Sequence, residues 1–268
     1  MKKQVHLTSG GEATIYLPLT KMAPRYILYF HGGGLVYGSK ADLSENLLRT
    51  FLERGYTVIS FDYLLAPNSS LSEIFAQLKQ TWYEIENTII QGAPFSFCGR
   101  SAGSYLMLLL TKWLQKETQT LPQQLINFYG YYDLKFITLP RKLTSKGITE
   151  EMIQGINQKT PVFDDPFMQR YLLYLYGVSH QLLTQFYGIT PANQKEFELT
   201  LNDLTTLPPV FSTASTSDNE VPFQYSKTLA RKNSAGKFLP VYYLPHDFLK
   251  EADPAVTTVL KALTEWLD

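Results

Sequence analysis

Two glycine-rich strings, each directly after a run of apolar residues, constrain the fold of this chain more than any other feature. Residues 99–103 read G-x-S-x-G and follow the apolar run 94–98, while residues 31–34 read H-G-G-G and follow the run Tyr26–Phe30. Apolar runs of this length are typical of strands buried on both faces of a parallel sheet. Each string is therefore predicted to form a tight turn at the end of a buried strand.

Ser101 lies at the centre of the first string, where a strand-to-helix turn would lift its hydroxyl above the sheet. Side chains two positions before and after this serine would collide, so the turn needs Gly99 and Gly103. The competing interpretation is an ordinary turn in which the Ser101 side chain caps the following helix. The companion string at 31–34 favours the first interpretation, because backbone N–H groups of such a loop stabilise an oxyanion.

The composition narrows the class of protein. The 268 residues suffice for one large α/β domain, and their net charge of zero predicts neither nucleic acid nor an anionic membrane as a partner. The single cysteine, Cys98, excludes an intramolecular disulfide. Residues 1–6 carry charge without an apolar segment behind them, and no apolar run approaches the roughly 20 residues of a membrane span. We expect a soluble cytoplasmic protein that binds a small molecule without a metal or cofactor, and a homodimer is left open.

Apolar runs alternate with amphipathic segments along most of the chain. Short alternating segments at 4–8 and 12–17 predict an antiparallel hairpin at a sheet edge. Further strands are predicted at 26–30, 56–61, 95–98, 125–129, 209–213 and 238–244, and helices at 42–54, 71–90, 102–116, 222–232 and 253–267. Strands that alternate with helices form a mostly parallel sheet with helices on both faces. The predicted fold class is therefore α/β.

Residues 135–207 interrupt this alternation. They contain no clear buried strand, but they hold four prolines and a dense block of aromatic side chains. We predict a helical cap inserted on top of the sheet, with 1–134 and 208–268 as the core domain. The aromatic block favours an apolar or aromatic substrate pocket beneath the cap. The competing interpretation is that these rings form the core of the cap itself.

A serine hydroxyl becomes a nucleophile only beside a base, and the chain has four histidines. His246 follows the last predicted strand, and sites in open α/β sheets lie at the carboxyl ends of strands. His180 lies in the predicted cap, where a role without catalysis is favoured. The imidazole needs a carboxylate to hold its tautomer. In α/β proteins whose serine lies in a G-x-S-x-G turn, this acid lies between the serine and the histidine along the chain. Asp218 fits that position best, Glu220 is the second candidate and Asp133 is the third.

Several landmarks together resemble the α/β-hydrolase superfamily, and within it the hormone-sensitive-lipase-like carboxylesterases. They run in the family's order from about residue 26 onward and are HGGGLVYG at 31–38, DYLLAP at 62–67, GRSAG at 99–103, Asp218 with Val221 and Pro222, and His246. The resemblance implies an α/β-hydrolase fold with a helical cap. It also implies that Ser101 is the nucleophile, His246 the general base and acid, and Asp218 the partner that orients the histidine.

The same resemblance implies an oxyanion hole and a supporting residue. The oxyanion would accept hydrogen bonds from the backbone N–H groups of Gly33, Gly34 and Ala102. His31 would be structural and would tie the glycine loop down.

Arg100 departs from the family pattern, which usually has Asp or Glu at this position. A guanidinium is always charged and needs either water or a carboxylate partner. One interpretation is recognition of an acidic group on the substrate. The other is a salt bridge that fixes the turn to a loop or to the cap, and it is favoured because a buried unpaired arginine is too costly to persist.

These residues favour a serine hydrolase that cleaves a carboxylic ester of a small to medium substrate through an acyl-enzyme. Amide and peptide hydrolysis use the same residues, so an amidase or peptidase is an alternative. A ligand-binding relative that has lost turnover is a third hypothesis. Every position of the Ser-His-Asp triad is occupied here, which favours the enzyme.

Overall fold

The computed structural model describes residues 1–18 and 22–267, and its strands form one eight-stranded sheet. The strands are β1 (Lys2–His6), β2 (Glu12–Tyr16), β3 (Tyr26–Phe30), β4 (Thr57–Phe61), β5 (Phe95–Arg100), β6 (Leu125–Phe128), β7 (Val210–Ser215) and β8 (Lys237–Val241). Their order across the sheet is β1-β2-β4-β3-β5-β6-β7-β8. β1 and β2 form an antiparallel hairpin, β2 pairs antiparallel with β4, and all later neighbours are parallel.

The α-helices of the described residues are α1 (Glu45–Glu53), α2 (Leu71–Ile85), α3 (Ala102–Lys116), α4 (Tyr171–Ser179), α5 (Leu183–Phe186), α6 (Asp203–Thr206), α7 (Gln224–Lys232) and α8 (Pro254–Trp266). Short 3-10 turns lie at Lys40–Asp42, Lys135–Thr138, Glu150–Ile153, Gln194–Phe197 and Phe248–Lys250. α2 begins with a capping box, in which Ser70 and Glu73 each accept a hydrogen bond from the other's backbone N–H. Of the helices in 1–18 and 22–267, none has the length and apolar character needed to cross a bilayer.

Helices cover both faces of the sheet because its central strands are apolar on both sides. In β3, Leu28 and Phe30 belong to the apolar cluster of α2 and α3, while Ile27 and Tyr29 belong to the cluster of α1 and α8. Successive strand residues point to opposite faces, so one continuous apolar run supplies both layers. The predicted α/β class and mostly parallel sheet are confirmed.

Two predicted elements end earlier than their apolar patterns suggested. The helix expected over 71–90 stops at Ile85, and a π-helical turn at Glu86–Ile90 leads to Gln91 in the left-handed region (φ 51°). The strand expected over 238–244 stops at Val241, because Tyr243 has a positive φ of 63° and turns the chain. This second turn carries the following residues back across the end of the sheet.

The segment between β6 and β7, all of which is described, contains short helices, turns and irregular stretches but no strand, and Asp165 forms an isolated β-bridge with Gly38. Arg170 at the start of α4 fastens the segment to the core. Its Nε donates to the Val36 carbonyl at 2.7 Å, and its Nη2 donates to the Ala66 carbonyl at 2.8 Å. Buried side chains of α4 and α5, such as Leu173 and Leu183, continue the apolar cluster of α2 and α3. The segment is packed on the sheet domain, and the limits 135–207 for a cap stay a prediction.

Candidate active site

Ser101 lies in the turn between β5 and α3, with a backbone conformation that L-residues rarely adopt (φ 50°, ψ −120°). Two glycines permit the turn, because a Cβ atom at Gly99 would meet the Ser104 backbone and one at Gly103 would meet the Phe30 carbonyl. The Ser101 side chain makes no capping hydrogen bond to α3. The interpretation of this serine as an ordinary helix cap is therefore wrong.

The Ser101 hydroxyl begins a chain of hydrogen bonds through a histidine to a carboxylate. Ser101 Oγ lies 2.9 Å from His246 Nε2, and His246 Nδ1 lies 2.6 Å from Asp218 Oδ2. The Asp218 side chain is fully buried, and its Oδ1 accepts the backbone N–H groups of Glu220 and Val221 at 2.9 Å each. An imidazole held in this way has a fixed orientation and can take a proton from the serine.

Three loops at one edge of the sheet bring these side chains together. Ser101 follows β5, Asp218 follows β7 and His246 follows β8. Parallel strands end at the same edge, so loops that are distant in sequence converge there. Ser101 and His246 meet although they are 145 positions apart.

The other candidate acids and His180 lie outside this chain of hydrogen bonds. Glu220 Oε2 accepts the Tyr174 hydroxyl at 3.2 Å, and Asp133 Oδ1 accepts the Tyr225 hydroxyl at 2.6 Å. His180 is exposed at the end of α4. In the described part of the chain, no group of His, Cys, Asp and Glu has the arrangement of a metal site.

The glycine loop lies directly beside the serine turn. A Cβ atom placed on Gly32 would lie 3.6 Å from that of Ser101. Gly33 and Gly34 have positive φ angles of 110° and 56°, and Ala102 is the first residue of α3. The N–H groups of these three residues donate to no acceptor in residues 1–18 and 22–267. Unpaired donors beside a serine hydroxyl can stabilise negative charge that develops on a substrate oxygen.

His31 holds the glycine loop in place through contacts with Tyr63 and with the Gly32 carbonyl. Its ring stacks on Tyr63 at 4.0 Å between centroids, its Nδ1 lies 2.7 Å from the Gly32 carbonyl, and its own carbonyl accepts the Tyr63 hydroxyl at 2.8 Å. Burial lowers the pKa of His31 to about 4. The ring is therefore neutral near pH 7, and its contacts are those of a structural residue.

His246 has the opposite electrostatic environment. Burial lowers its pKa, but the adjacent Asp218 carboxylate raises it, and the negative charges of Glu220 and Asp247 add to this effect. The raising contributions are the larger, so the pKa of His246 lies above its ordinary value of 6.5. A carboxylate partner of this kind makes the imidazole a better proton acceptor.

A family model described as the alpha/beta hydrolase fold matches residues 27–248, which span every residue of the site above. The chain belongs to the α/β-hydrolase family. The predicted resemblance to this family is thus confirmed, and solved structures that share the fold include carboxylesterases.

Similar proteins differ in what their names say about activity. An α/β-hydrolase superfamily protein from Enterococcus faecalis is 48% identical, with a TM-score of 0.96 over 100% of this chain and 98% of that one. Carboxyl esterase 2 from the fungus Tuber melanosporum is 19% identical, with a TM-score of 0.69 over 99% and 86% of the two chains, and shares the fold. A kynurenine formamidase from Danio rerio is 26% identical over 145 residues, 51% of this chain and 49% of that protein. The match thus spans about half the length of this relative.

Arg100 is the buried member of a cluster of four charged side chains in this α/β-hydrolase. Its Nη2 lies 2.6 Å from Asp247 Oδ1 and 3.1 Å from Asp42 Oδ2, and its side chain is 3% exposed. Lys250 Nζ lies 2.8 Å from the second oxygen of each carboxylate. Burial raises the pKa of Asp247, but the Arg100 and Lys250 charges outweigh this and hold it at about 2. Arg100 therefore has the salt bridge that the structural interpretation predicts.

This cluster joins the two loops that carry the reactive side chains. Arg100 directly precedes Ser101, and Asp247 directly follows His246. The short Arg100–Asp247 ion pair thus fixes the backbone of the serine turn to the backbone of the histidine loop. The sequence predicted a salt bridge for Arg100 but did not identify Asp247 as its partner. The position of Asp247 directly after His246 is the signal that could have identified it.

Two aromatic residues of the segment between β6 and β7 border the glycine loop. The Tyr187 hydroxyl donates to the Gly34 carbonyl at 2.7 Å, and a Cβ atom on Gly34 would meet the Tyr174 ring. Both rings are buried and also belong to the apolar core. Tyr174 and Tyr187 therefore both pack in the core of the segment and line the edge of the site. Phe167, from the same aromatic block, is 83% exposed on the surface.

The Arg100 cluster predicts a specific loss of stability. Arg100→Lys removes the planar fork that contacts both carboxylates, and the free energy of unfolding should fall by about 2 kcal/mol. Arg49→Lys is the matched control, because the Arg49–Glu45 pair is exposed and should contribute little. Urea denaturation of the two variants checks this. Equal stability of both variants would contradict a structural role for Arg100.

The histidines should titrate in a defined order. Proton NMR should place the pKa of His246 above 6.5 and that of His31 near 4. Asp218→Asn removes the largest raising influence, so the pKa of His246 should fall in that variant. His246→Gln identifies the signal. A His246 pKa that does not respond to Asp218→Asn would show that the carboxylate is not its partner.

Proposed function

We propose that this α/β-hydrolase is a serine hydrolase that cleaves a carboxylic ester of a small to medium substrate. The observation that carries the proposal is the hydrogen-bond chain from Ser101 through His246 to Asp218, beside three unpaired backbone N–H groups. A non-catalytic relative would not need the strained Ser101 backbone, which costs roughly 1–3 kcal/mol. The proposal names a class of substrate, the carboxylic esters, and not an individual compound.

The proposed reaction proceeds through an acyl-enzyme. Ser101 Oγ attacks the acyl carbon while its proton passes to His246 Nε2, and Asp218 stabilises the imidazolium. The carbonyl oxygen becomes an oxyanion that accepts hydrogen bonds from the N–H groups of Gly33, Gly34 and Ala102. The C–O bond to the leaving group then breaks, and His246 returns the proton to the departing alkoxide. Water, activated by His246, attacks the acyl-enzyme and releases the carboxylic acid.

Amide hydrolysis is the second candidate, and the similarity to a protein named kynurenine formamidase favours it. The same residues would attack an amide carbonyl, and His246 would protonate the departing nitrogen. The amide candidate predicts that an N-formyl arylamine is hydrolysed faster than a matched aryl ester of the same acyl group. Parallel assays of the two compounds with one enzyme preparation separate the candidates.

The first test replaces the nucleophile. Ser101→Ala should lower kcat for a short-chain chromogenic ester by roughly four orders of magnitude, because the attacking oxygen is gone. The fold should survive, so circular dichroism should be unchanged. Ser104→Ala, one helical turn away, is the control. Near-wild-type turnover by Ser101→Ala would end the proposal.

The second test separates the candidate acids. Asp218→Asn should lower kcat by about three to four orders of magnitude, because asparagine favours the wrong tautomer of His246. Glu220→Gln should have a mild effect, because Glu220 contacts Tyr174 and not the imidazole. If the two phenotypes were exchanged, Glu220 would be the functional acid.

A further inference from the structure

Two nitrogens of the Arg141 guanidinium, Nε and Nη2, are buried and donate to no acceptor within residues 1–18 and 22–267. Its Nη1 donates to the Glu220 carbonyl at 2.9 Å. Buried N–H groups of a guanidinium are costly when unpaired, so an acceptor from outside the chain would stabilise them. Arg100 Nε is unpaired in the same way, so the surroundings of the two arginines must be compared.

The two unpaired donors form one edge of the guanidinium. Nε–H and the nearer Nη2–H point in the same direction, and this edge binds both oxygens of a carboxylate at once. The guanidinium carbon Cζ lies over the Phe136 ring, at 5.0 Å from its centroid. The contact with this ring and the hydrogen bond to the Glu220 carbonyl limit the movement of the guanidinium. A preorganised fork of this kind favours a planar anion.

Arg141 lies beside the residues that border the glycine loop. Burial raises the pKa values of Tyr174 and Tyr187, and the nearby Arg141 charge opposes this rise in both. At Tyr174 a side-chain hydrogen bond with Arg141 adds to the opposition, so the guanidinium lies directly beside this hydroxyl. Tyr174 packs against Gly34, and Tyr187 donates to the Gly34 carbonyl. Glu220, whose carbonyl Arg141 binds, is two residues from Asp218 in the same loop. The free edge is therefore part of the surroundings of the proposed oxyanion hole.

Arg100 does not offer the same chemistry, although it is closer in sequence to Ser101. Its Nη2 contacts the carboxylates of Asp247 and Asp42, and its Nη1 donates to the Asp42 carbonyl at 2.9 Å. Arg141 has no carboxylate within ion-pairing distance among the described residues. An anionic ligand would thus add charge pairing at Arg141 and would compete with existing pairs at Arg100.

We propose that Arg141 is a specificity-determining residue that binds a carboxylate on the substrate, so that the preferred substrate is an anionic acyl compound with an ester or amide bond. The inference rests on the proposed function and names the substrate class of that site. A carboxylate at the Nε–Nη2 edge would satisfy both unpaired donors. The bound group would lie beside Tyr174, whose ring packs against Gly34 of the glycine loop.

The test compares two esters of similar size that differ in charge. The mono-p-nitrophenyl ester of glutaric acid has a free carboxylate, and p-nitrophenyl valerate is neutral. KM and kcat are measured for both with the wild type, Arg141→Gln and Lys142→Gln. Lys142 is the matched control, because it is an exposed cation that follows Arg141 in sequence and lines, with Arg141, a surface pocket of about 190 Å³.

The wild type should have the lower KM for the anionic ester. Arg141→Gln should raise the ratio of the anionic to the neutral KM by at least about tenfold, through loss of a bidentate charged contact. Lys142→Gln should change this ratio by less than about twofold, because an exposed charge is screened. An unchanged ratio in Arg141→Gln would overturn the proposal and would indicate that water fills the site.

Two further measurements keep the outcomes distinct. If Arg141→Gln does not fold, competitive inhibition of the wild type is measured instead, with glutarate as the anionic inhibitor and glutaramide as the neutral control. Glutarate should inhibit more strongly, and equal inhibition by the two compounds overturns the proposal. If the wild type hydrolyses neither ester and a fluorophosphonate leaves Ser101 unlabelled, the proposed function fails. Hydrolysis of both esters with no preference for the anion contradicts the role of Arg141 alone.

Discussion

The strained backbone of Ser101 is the constraint on which the rest of the site depends. A residue other than glycine at positive φ is held there only when its surroundings over-determine the conformation. Here the buried strand β5 fixes one side of the turn and α3 fixes the other, while Gly99 and Gly103 allow the backbones to approach closely. Because the Ser101 side chain is not used as a helix cap, its hydroxyl is available to His246 at 2.9 Å.

The same region shows how buried charge can hold a site in position. Arg100 and Asp247 flank Ser101 and His246 in sequence, and their ion pair connects two loops that the sheet alone places side by side. Removing Asp247 would leave the buried Arg100 with Asp42 as its remaining carboxylate and would break the link to the histidine loop. Arg141 provides the contrast, because no carboxylate of the described residues pairs with its guanidinium, whereas two pair with Arg100. We interpret the paired carboxylates of Arg100 as support for the site and the lack of a carboxylate at Arg141 as a place for a ligand.

Local patterns in the sequence predicted most of the fold, and long-range contacts explain what they missed. The apolar runs and the two glycine strings predicted the sheet, the serine turn and the loop beside it, because each depends on neighbours in sequence. β8 ends early because Tyr243 has a positive φ, and the pattern of apolar residues that predicted the strand carries no information on this angle. The partners of Arg141 and Arg170 lie 79 and 134 positions away, so composition and spacing could not predict them. The place of Asp218 after a strand favoured it as the acid, and its Oδ2 lies 2.6 Å from His246 Nδ1, while its role in the reaction stays a prediction.

The central claim is that Ser101 attacks a carbonyl whose oxygen enters the pocket formed by the glycine loop and the start of α3. A crystal structure of the protein after reaction with a fluorophosphonate tests it most directly, because the tetrahedral phosphorus imitates the intermediate. The account predicts a bond from Ser101 Oγ to phosphorus, with the phosphoryl oxygen within about 3 Å of the N–H groups of Gly33, Gly34 and Ala102. A phosphoryl oxygen directed away from these donors, or an adduct on another residue, would contradict it.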